Sequence, residues 1–162
     1  MRGLIAYDTY FGNGGQVAAV IAEELSAAGH EVRLLNLHER KADARVLAAE
    51  TDFLVVGGPT RMKHISRRAR RFVKHLDPKD WADKPALVYD TYGPLDPDPA
   101  KNENNAWLYP GGVADLRQAL VERKLAVDSE DLRCLVAEQK GPLVEGALDE
   151  ARYTARRFAA RL

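Results

Sequence analysis

The chain has 162 residues, of which 46% are hydrophobic and 30% are charged, a size and composition that suit one globular domain with a substantial core. Its 24 basic and 24 acidic residues give a formal net charge of zero, which argues against nucleic acid as a partner, and no apolar run approaches the roughly 20 residues of a membrane span. A single cysteine, Cys134, excludes an internal disulfide, and with a strand pattern that starts directly after Met1 it predicts a cytoplasmic protein with no signal peptide.

Strand and helix patterns alternate along the whole chain. A first strand at 3–7 ends in a loop rich in Gly, Thr and Asn, and apolar residues at helical spacing follow over 15–28. Later strands are predicted at 31–37, 52–57, 86–91 and 132–138, and later helices at 43–50, 66–76, 112–124 and 147–162. This alternation predicts a single α/β domain over residues 1–162, built on a parallel, doubly wound sheet.

The ligand is expected at one edge of this sheet. In doubly wound sheets, ligands bind beyond the carboxyl ends of the strands, and the segments 8–15, 58–65 and 92–109 follow three such ends. The first of these segments runs directly into a helix, so it directs free backbone N–H groups and a positive helix end at one point. A phosphorylated ligand is therefore predicted.

Three motifs at these loops resemble the flavodoxin family. The matching residues are Tyr7, Thr9, Gly12 and Ala18 in the first motif, the run Gly57-Gly58-Pro59-Thr60 in the second, and Thr91-Tyr92-Gly93 in the third. The resemblance extends over the whole chain in the same order. It implies a flavodoxin-like three-layer sandwich with a five-stranded parallel sheet in the order 2-1-3-4-5.

The resemblance also implies FMN, bound non-covalently, as the carrier of electrons. Its phosphate would lie on Thr9, Tyr10, Phe11, Gly12, Asn13, Gly14 and Gly15, with the side chains of Thr9 and Asn13 as donors. Its ring would lie among Pro59, Thr60, Arg61, Met62, His64, Thr91, Tyr92 and Gly93, with Trp107 also able to reach it. Neither a catalytic side chain nor a metal ligand is expected, because the electron chemistry belongs to the cofactor.

Two features depart from the family pattern. Gly14 replaces a threonine whose hydroxyl would bind the phosphate, a hydrogen bond to a charged group that is worth roughly 1.5–3 kcal/mol. The other departure is a basic segment with no acid before Asp77, made up of Arg61, Lys63, Arg67, Arg68, Arg70, Arg71 and Lys74. Cations at the start of a helix are disfavoured by its dipole, so this segment favours an anionic contact.

The partner is accordingly expected to be a redox protein or a small-molecule electron acceptor, an acidic one among them. Two alternatives remain open: a flavin-free interaction module that docks an acidic partner, and a quinone- or NAD(P)H-linked FMN reductase. The reductase alternative rests on Arg61, His64, the run Phe72-Val73-Lys74 and His75, which resemble the quinone-linked protoporphyrinogen oxidases. The arginines of the last helix are predicted to form a solvated stripe, and Cys134 a packed core thiol.

Overall fold

The computed structural model describes residues 1–39 and 43–162. The strands are β1 (Arg2–Tyr7), β2 (Glu31–Asn36), β3 (Phe53–Arg61), β4 (His64–Ile65), β5 (Pro85–Tyr92) and β6 (Ala126–Leu135). The helices are α1 (Asn13–Ala27), α2 (Ala44–Ala49), α3 (Arg67–Lys74), α4 (Pro78–Trp81), α5 (Gly112–Glu122) and α6 (Ala147–Ala159), and a 3-10 turn covers Pro99–Lys101.

Five parallel strands form the main sheet in the order β2-β1-β3-β5-β6. This confirms the predicted order, in which the two-residue strand β4 was not counted. β4 turns back antiparallel onto the end of β3, where Thr60 pairs with Ile65 and Arg61 with His64. The sequence did not predict this hairpin, because two residues are too few to show an alternating pattern.

The sheet is covered on both faces, as its apolar strands predict. Leu4 and Ala6 of β1 point into one core, with buried residues of α2, α3, α4 and α5. Ile5 points to the opposite face, into a second core formed with α1 and α6. Because neighbouring side chains of a strand alternate between faces, β1 is part of both cores, which makes three layers.

Two strand glycines are explained by aromatic rings on the neighbouring strand. Gly3 lies opposite Phe53, and Gly57 lies opposite Tyr89. A Cβ on either glycine would overlap the ring opposite to it. The rings of Phe53 and Tyr89 therefore lie flat across their glycine partners, and both aromatic residues are fully buried.

The last strand differs from its prediction. β6 begins at Ala126, not at 132, and ends at Leu135, not at 138. Its register with β5 shifts between the pairs Ala86–Val127 and Val88–Asp131, so the edge strand bulges and its inward and outward positions lose their alternation. The polar run that starts at Asp128 occupies this bulge, which is why the apolar pattern predicted the strand only from 132.

One short helix was also missed. α4 begins at Pro78 behind Asp77, whose side chain accepts a hydrogen bond from the N–H of Lys79 at 3.0 Å. It buries Trp81 completely in the first core. No helix in the described parts of the chain is both long and apolar enough to cross a membrane.

Candidate functional site

The loop after β1 leads into α1, and among the described residues no side chain caps the start of this helix. Gly12 precedes α1 with a φ of 90°, and the first turn contains no acidic residue. The N–H of Gly12 donates to Thr9 Oγ1 at 3.0 Å and so closes the loop. Since Thr9 Oγ1 is the acceptor in this hydrogen bond, the Thr9 hydroxyl can still donate its own hydrogen. The first-turn N–H groups and this hydroxyl are hydrogen-bond donors gathered at one helix end, an arrangement that suits an anion.

Gly14 is required by the close approach of two backbone segments. A Cβ on this residue would lie 2.9 Å from the backbone oxygen of Asp8, which leaves no space for the threonine expected from the family pattern. On its other side, the carbonyl of Gly14 accepts a hydrogen bond from the Tyr89 hydroxyl at 2.9 Å. The loop thus packs against Asp8, directly after β1, and is hydrogen-bonded to Tyr89 of β5. Complete burial raises the pKa of Tyr89 well above its usual value, so this hydroxyl stays a donor.

Asn13 connects this loop to the segment after β6. Its side-chain amide donates to the carbonyl of Lys140 at 3.3 Å, and its head group packs where a Cβ of Gly141 would be. The sequence predicted that this amide donates to a phosphate. In the structure one of its two hydrogens is used by Lys140, so the role of Asn13 is at least partly to join the two loops.

A cleft of about 240 Å³ opens at the carboxyl edge of the sheet. Most of the residues expected to hold the cofactor line it: Thr9, Tyr10, Phe11, Asn13, Gly14, Pro59, Thr60, Arg61, Met62, Thr91, Tyr92 and Gly93. The exceptions are Gly12, Gly15, His64 and Trp107. His64 is exposed, and its Nδ1 lies 3.2 Å from Asp115 Oδ2 on α5, so the ring faces α5 and not the cleft. The sequence predicted His64 beside the ligand ring, whereas the structure places it beside Asp115.

Val136 and Gln139 also line the cleft, and the sequence reasoning missed both. They follow β6, whose end lies at the same edge as the ends of β1, β3 and β5. Gly93 crosses this strand end closely, since a Cβ there would lie 2.7 Å from Leu135 Cδ1 and its φ is 108°. The parallel sheet itself was the available signal: the loop after its last strand reaches the same edge as the others.

Tyr92 is held in place by a stack beneath the cleft. The guanidinium carbon of Arg133 lies 3.8 Å from the centroid of the Tyr92 ring and 5.5 Å from that of Tyr109. The two tyrosine rings meet edge to face with centroids 6.2 Å apart. Burial, with a smaller contribution from Tyr109, raises the pKa of Tyr92, so the ring stays neutral. A ring clamped in this way presents a fixed apolar surface to the cleft.

Arg133 is fixed in turn by a buried carboxylate. Asp90, which is fully buried, accepts hydrogen bonds from Arg133 Nε at 3.0 Å and Nη2 at 2.9 Å, and from the Thr60 hydroxyl at 2.5 Å. Arg133 Nη1 also donates to the carbonyl of Leu108 at 2.7 Å. Burial raises the pKa of Asp90, while Arg133 and Thr60 oppose that rise. The network ties the loop before α5 to the sheet.

The same network uses the side chain of Thr60. While its hydroxyl donates to Asp90, its oxygen accepts the N–H of Gly112 at 2.8 Å. Thr60 lines the cleft, but its hydroxyl is used in hydrogen bonds to Asp90 and Gly112. No local pattern indicated this contact, because Thr60, Asp90 and Gly112 are far apart along the chain.

Asp8 has a very different environment from Asp90. It is also fully buried, at the end of β1, but neither oxygen of its carboxylate has a hydrogen-bond partner among the described residues. Its backbone N–H donates to the carbonyl of Gly57 at 3.0 Å. An unpartnered buried carboxyl group is costly, and this one lies directly before the loop that leads to the cleft.

Comparisons with known proteins give one consistent result. The sequence matches the model of the flavodoxin domain family over residues 4–155. None of the proteins with curated functions matches it. In fold it is similar to oxidised flavodoxin 2 from Bacillus cereus, with 25% identity, full coverage of both chains and a TM-score of 0.75.

Two further solved structures share the fold. Oxidised flavodoxin 1 from Bacillus cereus is 19% identical, with 100% of this chain and 99% of that chain covered and a TM-score of 0.74. A flavodiiron core from Synechocystis is 14% identical with a TM-score of 0.73, and the match covers 99% of this chain but 36% of that one. The same fold thus occurs both as a whole protein and as part of a larger one.

Proposed function

Because this chain belongs to the flavodoxin domain family, we propose that it binds one FMN non-covalently in the cleft and carries electrons through it. The observation that carries the proposal is the meeting of an uncapped helix end with an aromatic-lined cleft. The free N–H groups at the start of α1 suit a phosphate, and Tyr92 offers a fixed ring surface to a flat ligand.

The residues divide between the two parts of the cofactor. The phosphate would be held by the backbone N–H groups of the loop and first helical turn, 9–15, and by the Thr9 hydroxyl. The ring would lie between the segments 59–62 and 91–93. When bound, FMN supplies a centre that accepts and releases electrons.

The protein's own residues would tune this centre by their polarity. Tyr92, Met62 and Pro59 contribute mostly apolar surface to the cleft, and apolar surroundings disfavour an added negative charge. Arg61 lies at the rim, where its guanidinium carbon is 4.3 Å from the Tyr10 ring centroid. Since His64 faces Asp115 and not the cleft, we favour an electron carrier over the quinone-linked reductase.

Titration of the apo-protein with FMN, followed by flavin fluorescence and calorimetry, tests the proposal. We expect one-to-one binding with a sub-micromolar Kd and weaker binding of riboflavin, which lacks the phosphate. Absence of binding at tens of micromolar FMN would overturn the proposal and leave a flavin-free interaction module.

Two variants sharpen this test. Thr9→Val removes one donor to a charged group, so FMN affinity is expected to fall about tenfold or more, while riboflavin affinity stays nearly unchanged. Tyr92→Ala is expected to weaken both ligands equally. Tyr153→Ala is the matched control, because Tyr153 is an exposed tyrosine on α6 and does not line the cleft.

A further inference from the structure

Large apolar side chains are exposed around the mouth of the cleft. Met62 is 73% exposed and Phe11 49%, and both line the cleft. Tyr10, Trp107 and Tyr109 are also exposed by more than a third. We call these five side chains the mouth residues. Exposed aromatic residues and methionines concentrated in one place are typical of protein–protein interfaces.

Basic side chains stand among the mouth residues. Lys63 Nζ lies 5.8 Å from the ring centroid of Trp107, and Lys140 Nζ lies 5.9 Å from that of Phe11. Arg68 reaches the ring of Tyr10 from α3, with its guanidinium carbon 5.9 Å from the centroid. The cations thus lie over aromatic faces, and they form one surface with the mouth residues.

These cations have no carboxylate partner in the parts of the chain that the structure describes. From Arg61 to Lys74, two side chains contact an acid within 4 Å among the described residues, and the acid is Asp115 in both cases. His64 Nδ1 lies 3.2 Å and Arg70 Nη2 lies 3.8 Å from Asp115 Oδ2. Arg67 and Arg68 are the first two residues of α3 and its dipole opposes their charge. Fold stability therefore does not account for their position, while an anionic partner would.

Acids on the loop after β5 form no ion pair with these cations among the described residues. This loop contains Asp96 and Asp98, and each accepts a backbone N–H of its own loop, from Asp98 at 2.9 Å and from Ala100 at 3.1 Å. Both carboxylates keep their negative charge, but they are held on their own loop. The side of the cleft rim formed by the start of α3 therefore presents cations to a partner.

We propose that the mouth residues, with Lys63, Arg67 and Arg68, form the docking surface for an acidic redox protein that exchanges electrons with the cleft. This inference rests on the proposed function. The mixture of exposed aromatic residues, Met and Arg fits a protein partner, and the sign of the charge selects an acidic one. The positive charge would also attract a nucleic acid, but exposed methionine and aromatic side chains beside the cations are typical of an interface with another protein.

The electron balance of the exchange is simple. A fully reduced flavin gives up two electrons, and its protons pass to solvent. An acceptor protein with a ferric haem takes one electron, which reduces Fe³⁺ to Fe²⁺, so two acceptors are consumed for each flavin. Opposite charges raise the association rate of such a pair, and salt screens the effect.

The experiment uses the FMN-loaded protein, reduced with dithionite and mixed in a stopped-flow instrument with a ferric haem protein. Acidic cytochrome b5 and basic cytochrome c are the two acceptors. We expect the second-order rate constant with cytochrome b5 to fall about tenfold between low and high salt. With cytochrome c we expect it to rise or stay constant, because salt then screens a repulsion.

A charge reversal locates the surface. The double variant Lys63→Glu with Arg67→Glu should lower the low-salt rate with cytochrome b5 about fivefold or more, and FMN affinity should not change, since neither residue lines the cleft. Lys74→Glu with Lys79→Glu is the matched control, with the same change in charge on exposed lysines at the far end of α3 and on α4. Its rate should stay within twofold of the parent at equal salt.

Several outcomes would overturn the proposal. One is a rate with cytochrome b5 that does not depend on salt; another is an equal loss in both double variants. Binding of a labelled single-stranded oligonucleotide that is tighter than binding of cytochrome b5, and is lost in the Lys63 and Arg67 variant, would assign the surface to nucleic acid. Failure to load FMN would instead refute the proposed function, so the two failures are distinguishable.

Discussion

Two helices of this protein, α6 and α3, are rich in arginine, but they differ in whether these arginines form ion pairs. On α6, Arg152 and Arg156 bind Glu23 and Glu24 of α1 at 2.7–3.1 Å. Farther along, Arg157 of α6 pairs with Glu130 of β6, and Arg161, just beyond the end of α6, pairs with Asp128. On α3, most of the arginines have no such partner among the described residues. The charge of α6 therefore serves packing between elements, whereas the charge of α3 remains available to other molecules.

Arg133, which lies on neither of these helices, shows the extreme case of a paired charge. Arg133→Met would leave Asp90 buried without its cation, and we expect it to lower the free energy of unfolding by about 3–5 kcal/mol in urea denaturation at pH 7. The double variant Asp90→Leu with Arg133→Met should recover most of this loss, because it removes the stranded charge. If the single variant were as stable as the parent, the pair would not hold the loop before α5.

Asp8 is the converse case, a fully buried carboxyl group with no hydrogen-bond partner among the described residues. Asp8→Ala removes two unsatisfied oxygens, so we expect the free energy of unfolding of the apo-protein to increase by about 1–3 kcal/mol. The measurement is the urea midpoint with the slope held constant. A decrease would mean that the carboxyl group is satisfied in solution, and the contrast between Asp8 and Asp90 would disappear.

The same substitution in the two arginine-rich helices should have opposite effects. Arg156→Glu places two carboxylates together on the α1–α6 contact, so it should lower the urea midpoint at pH 7. The hydrogen bond from Arg156 holds the pKa of Glu24 below its usual 4.5, so the stabilisation by this pair is present above that value. It is lost as the pH falls through the lowered pKa, and the difference between variant and parent should narrow there.

Arg67→Glu on α3 should be the smallest effect, and it should have the other sign. It puts an acid in place of a cation in the first turn of the helix, which favours the fold by about 0.5 kcal/mol. Urea denaturation in low salt measures it, and added salt should reduce the gain. Destabilisation by this substitution would show that α3 depends on its cations for folding after all.

Most of the fold could be predicted from the sequence. The buried strands β1, β3 and β5 are short apolar runs between Gly, Asp and Pro, and the family motifs fixed their order. Prediction was wrong at the bulged start of β6 and missed the four-residue α4, where local geometry and not periodicity decides the structure. The spacing of apolar residues does not reveal that Asp77 caps α4 or that β6 bulges beside β5.

The candidate site was less predictable at the level of side chains. The motifs located its loops, and most of the expected residues do line one cleft. They did not reveal that the Thr60 hydroxyl binds Asp90, that Asn13 binds Lys140 or that His64 faces Asp115. Each of these contacts joins residues at least 30 positions apart, so it depends on the packed fold and not on a local pattern.

Tyr89 has a consequence for the kinetics of loading the cleft. A loop with three glycines among residues 12–15 would lose much conformational entropy if it became ordered only around a ligand. The Tyr89 hydroxyl binds the Gly14 carbonyl from inside the sheet, so this entropy is already lost when the chain folds. Ligand capture should then be limited by diffusion and by the departure of water. Tyr89→Phe removes this hydrogen bond but keeps the ring over Gly57. The loop would then have to become ordered during binding, so FMN should associate more slowly.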